Sequence, residues 1–164
     1  MRSSSWVIGS LLAVVVAGFA SQARADHYGL DVTVRNGYPG LIAVTVTAYE
    51  NGFVDVPRGT VLTDGSHQNQ DLAMGVEIRR EMRAGERVTV TMPAFCLHQE
   101  RPALATGVRL RRAGMAQQAL SPILRNFEKR YLAAKAGREA IVSETQHAVW
   151  TEIRRPRPGW SFTR

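Results

Sequence analysis

The chain changes its hydrophobic period once, near Cys96, and that change limits what it can fold into. Before it, apolar residues alternate with polar ones, as in Leu30-Asp31-Val32-Thr33-Val34-Arg35 and in the β-branched run from Leu41 to Tyr49. That period of two belongs to half-buried strands. After it, Leu120, Ile123, Leu124, Phe127, Tyr131 and Leu132 recur at steps of three and four, the helical period, over residues 116–134. Gly137 separates this stretch from a second helical one over residues 138–154. Strands first and helices afterwards predict an α+β domain: a small antiparallel β-sandwich followed by a C-terminal helical hairpin.

Turn residues divide the first half. Asn36-Gly37-Tyr38-Pro39-Gly40 reads as the longer loop of a first hairpin. Asn51-Gly52 and Pro57-Arg58-Gly59 precede a short strand, Thr60 to Thr63. Val76-Glu77-Ile78 and Arg87 to Met92 bracket Arg83-Ala84-Gly85-Glu86, which reads as a second hairpin. Residues 107–112 offer one further strand. Ser121-Pro122 either begins the first helix or kinks it, because proline fits only the first turn without loss.

The N-terminus has one arginine, small polar residues, an apolar run from Trp6 to Ala20, and Ala23-Arg24-Ala25. This is the layout of a signal peptide over residues 1–25. The run is shorter than a membrane-spanning helix needs, so no membrane span is expected after cleavage. Residues 26–155 then form one domain, and 156–164, rich in proline and arginine, a basic flexible tail. The destination is exported, periplasmic or extracellular. The formal charge is +7, with Arg79-Arg80, Arg109-Leu110-Arg111-Arg112 and Arg154-Arg155-Pro156-Arg157 as clusters. Such a balance favours an acidic envelope polymer as partner; no nucleic-acid recognition motif accompanies it.

An exported chain with a single cysteine has no internal disulfide partner for it, so Cys96 is either buried or chemically committed. On the second helix Val142, Gln146, Val149 and Ile153 share a stripe, with Trp150 beside it. Gln146 thus occupies an apolar face, where an amide is costly unless its polar atoms are paired. Phe95-Cys96-Leu97 and Thr145-Gln146-His147-Ala148-Val149-Trp150 together resemble the paired motifs of the bacterial thioester domains, surface adhesin modules. Thr151 stands where that family usually has an apolar residue. The resemblance implies that Cys96 and Gln146 condense into an internal thioester that captures a surface amine or hydroxyl on a protein or glycan. His98 and His147 would move protons, and Thr145 and Trp150 would wall the site. This is single-turnover capture rather than catalysis, and it needs no cofactor.

Three other readings fit the same residues. Cys96 can be an inert core thiol, with Gln146 bonded to a strand beneath the helix. Cys96 with His98 or His147 can be a nucleophile–base pair, although no local signature surrounds them. A metal site from Cys96, His98 and His147, with His27 or His67, lacks close ligand spacing, so no metal is expected. Outside these, the domain can bind without chemistry, with Gln68-Asn69-Gln70-Asp71 as a polar contact loop.

Overall fold

The computed structural model describes residues 27–156. The signal-peptide reading and residues 157–164 of the tail lie outside them. The described chain runs β1 (Tyr28–Gly37), β2 (Gly40–Ala48), β3 (Gly52–Val56), β4 (Thr60–Thr63), β5 (Leu72–Met74), β6 (Ile78–Met82), β7 (Arg87–Cys96) and β8 (Arg109–Met115). A short 3-10 turn at Gln118–Leu120 leads into α1 (Ser121–Ala133), and α2 (Arg138–Arg154) follows. Strands then helices make the α+β arrangement that the change of period predicts.

The strands close into a barrel, ordered β1-β2-β7-β5-β4-β8, rather than stacking as a sandwich. The closing seam is antiparallel pairing of β1 with β8, Val32 opposite Leu110 and Thr33 opposite Arg109. Alternation is the same in both architectures, because each has one face in and one face out. What separates them is which strands pair at the edges, and the pattern is silent on that. Inside the barrel lie Val32 and Val34 of β1, Ile42, Val44 and Val46 of β2, Leu62, Leu72, Met74, Met92, Ala94, Cys96 and Leu110.

The second expected hairpin does not form. A turn forms at Arg83–Glu86, closed by Glu86 N–H to the Arg83 carbonyl at 2.9 Å. Yet β6 pairs with β3, from Gly52 opposite Met82 to Val56 opposite Ile78, in a separate two-stranded sheet. Val54, Val56, Ile78 and Met82 are buried against the barrel core, so apolar burial takes β6 to β3 instead of to its sequence neighbour. The first hairpin is tighter than expected, since Gly37 pairs directly with Gly40 and only Tyr38-Pro39 lies between. A Cβ at Gly37 would stand 2.1 Å from the Leu104 carbonyl oxygen, and one at Gly40 would stand 2.2 Å from that of Ala94. Only glycine lets this turn settle so closely on the barrel end.

The helices cover the outside of β7. Phe95 points out of the barrel to Phe127 of α1, edge to face with ring centroids 4.7 Å apart. Phe95, Leu120, Leu124, Phe127, Val142 and Val149 make this second core. Pro122 lies in the first turn of α1, so it begins the helix and does not kink it. Leu132 faces solvent despite its place in the periodic pattern. Glu128 of α1 ties the helix to the barrel through Arg58 and through the Glu77 N–H at 2.8 Å.

Candidate functional site

Successive residues of β7 point to opposite sides, so Phe95 joins the helical core while the Cys96 side chain enters the barrel. Leu72 of β5 lies opposite Cys96, and the next bond of that ladder is Leu97 N–H to the Asp71 carbonyl at 3.0 Å. In an antiparallel ladder bonded and non-bonded pairs alternate. The N–H and C=O of Cys96 therefore face away from β5. On their side β2 has already ended, its last pair being Leu41 opposite Pro93. Two buried backbone groups are left without a strand.

Gln146 supplies the missing partner. Its Oε1 accepts from the Cys96 N–H at 2.8 Å, and its Nε2 donates to the Cys96 carbonyl at 2.9 Å. The amide reproduces one residue's worth of strand pairing, and both residues are buried, 1% and 2% exposed. The α2 stripe delivers it: Val142 and Val149 sink into the helical core on either side of Gln146. Thr145 is buried next to it and donates from Oγ1 to the Ile141 carbonyl at 2.7 Å.

The thiol lies on the barrel side of this contact, its Sγ 3.8 Å from the Gly37 carbonyl oxygen. Burial pushes its pKa up to about 11, because a thiolate there would lose its hydration. Trp150, one helical turn beyond Gln146, packs on the barrel core, and its ring stacks on Tyr38 with planes 7° apart and centroids 6.0 Å apart. The indole Nε1 is buried and has no hydrogen-bond partner among the described residues.

No protein-family model matches the chain, and no curated protein or solved structure does either.

Neither histidine ring bonds to Cys96 or Gln146 among the described residues. His98 follows β7 in a loop, and its Nε2 is 2.9 Å from Asp71 Oδ2. His147 is exposed on α2, on the opposite side from the buried stripe. No group of three or more His, Cys, Asp or Glu side chains among the described residues can hold a metal ion. No helix among them is long and apolar enough to cross a membrane. The arginines at 79, 80, 109, 111, 112, 154 and 155 are exposed.

Gln70 is the residue whose role the sequence conceals. Within a polar run that reads as a solvated loop, it is only 3% exposed. It accepts from the His98 N–H at 3.0 Å and donates from Nε2 to the carbonyls of His98 and Arg101, the latter at 2.7 Å. Residues 96–101 are thus gripped by two glutamine amides, Gln146 at the start and Gln70 beyond it. A glutamine beside a turn carries no periodic signal, whereas Gln146 stood out because its helix face was otherwise apolar.

Proposed function

We propose that this is an exported binding domain whose Cys96 and Gln146 form an internal thioester for covalent capture of a surface amine or hydroxyl. The observation that carries the reading is the clamp itself: the amide of the apolar-face glutamine bonds to the backbone of the only cysteine, 50 residues away. The resemblance to the thioester domains points the same way.

The polar contacts suit that chemistry. The Cys96 N–H lies on Gln146 Oε1, where negative charge develops when sulfur adds to Cδ, so it acts as an oxyanion donor. The Cys96 carbonyl holds Nε2, the atom that must leave. In the bond-forming step Sγ bonds to Cδ, the Cδ–Nε2 bond breaks, and nitrogen takes the thiol proton and departs as ammonia. The two bonds hold the Gln146 amide beside the residue that carries the thiol, and such proximity supplies part of the barrier. Exclusion of water protects the product. In capture, the incoming nitrogen or oxygen bonds to Cδ, the Cδ–Sγ bond breaks, and sulfur takes the proton.

A second reading rests on the same amide. Both of its ends are satisfied by backbone, and a thiol held near 11 is a poor nucleophile at neutral pH. On that reading Gln146 is a strand surrogate, and the protein binds partners through its basic surface without chemistry. Incubation with a biotinylated primary amine separates the two. Label mapping to Gln146, absent in Cys96→Ala, supports covalent capture; absence of label in freshly purified protein contradicts it.

A further inference from the structure

The β1–β2 turn touches both halves of the site. Its Gly37 carbonyl lies against Cys96 Sγ, and the next residue, Tyr38, lays its ring parallel to Trp150. Tyr38 is 56% exposed, the profile of a cover with one face on protein and one in water. The indole N–H of Trp150 is buried without a partner among the described residues, so water does not reach that atom. The turn itself lies close on the barrel end, where Gly37 and Gly40 leave no room for a Cβ beside the backbone of Leu104 and Ala94. The Tyr38 ring, by contrast, is held by stacking, an interaction of about 0.5–1.5 kcal/mol. Lifting it lets the indole N–H find water, which offsets part of that loss.

We propose that Tyr38 is the gate of the Cys96–Gln146 site: closed on Trp150 it slows the entry of water and small nucleophiles, and displaced by a docking surface it admits the nucleophile freely. This rests on the capture reading for its purpose, but the gating of access does not need the thioester to exist.

The test compares wild type, Tyr38→Ala and Tyr38→Phe in the whole mature protein. Two rates are read by mass spectrometry: methylamine addition at Gln146, and iodoacetamide alkylation of Cys96. Tyr38→Ala is expected to raise the rate of whichever reaction occurs by about tenfold, a shift the loss of a ring stack can supply. Tyr38→Phe, which keeps the ring, stays within about twofold of wild type. In Tyr38→Ala the rate must stay flat in low urea, as local exposure requires, rather than climb with global unfolding. If Tyr38→Ala does not fold, Tyr38→Leu serves, and an intermediate acceleration is expected. Rates equal to wild type in both chemistries would overturn the gate. Silence towards methylamine in every variant, with alkylation still accelerated, would instead remove the thioester and leave the gate standing.

Discussion

At the scale of single residues, Gln146 answers for two buried backbone groups. Gln146→Ala leaves the Cys96 N–H and C=O unpaired, each such group costing about 1–3 kcal/mol. Urea denaturation is expected to show a loss of about 2–6 kcal/mol, and a loss under 1 kcal/mol would show that water replaces the amide freely. The thiol gives a prediction in pH. Its folded pKa, about 11, lies above the ordinary 9.0, so between those values the unfolded chain has released the proton and the folded chain has not. Stability therefore falls as pH rises from 9 towards 11, by a total of about 2–3 kcal/mol. Cys96→Ala lacks this alkaline fall. So does protein in which the thioester has formed, because it has no thiol to titrate. Melting temperatures across that range, wild type against Cys96→Ala, distinguish a free thiol from a bonded sulfur.

At the scale of elements, the site exists because α2 is held on β7 at one rotation. Val142 and Val149 of α2 share one core with Phe95 of β7 and Phe127 of α1, and Phe127 is fully buried. Phe127→Ala is expected to cost about 3–5 kcal/mol and to loosen the helices before the barrel. Amide exchange should then rise at residues 121–154 and at Cys96, while Val44 and Val90, paired within the barrel, stay protected. Exchange rising uniformly would show one cooperative unit. Helix α2 was legible to the residue, because glycine before it and a clean apolar stripe mark it from both sides. The pairing of β3 with β6 was not, nor was β5, a strand of only Leu72–Met74. Turn signals name where strands stop, but partner choice depends on which apolar faces can be buried together. That Gln146 needs a buried partner was legible from its apolar helix face, and that the partner is Cys96 was an expectation from the resemblance to the thioester domains. The reason that partner is Cys96, the early end of β2, belongs to the register and to no sequence pattern.

At the scale of the molecule, a closed barrel has no open edge along most of its length, and the Cys96 end is where that closure would fail without α2. The site thus sits at a structural weak point that the helical layer repairs. The basic residues of β8 lie on a strand that pairs with β1 and β4 and not with β7. Arg109, Arg111 and Arg112 are exposed on β8, and Arg109→Glu with Arg111→Glu is expected to weaken retention on an anionic polymer severalfold. Amine labelling at Gln146 should be unaffected by that change; a parallel loss would join the two surfaces into one. The most direct measurement is the intact mass of freshly purified protein, wild type beside Cys96→Ala. A thioester gives a wild-type mass one ammonia below that of its sequence, with the full sequence mass in Cys96→Ala. A wild-type mass equal to its sequence, with one thiol titrated after unfolding, would contradict the thioester and leave Gln146 as the strand that β2 does not provide.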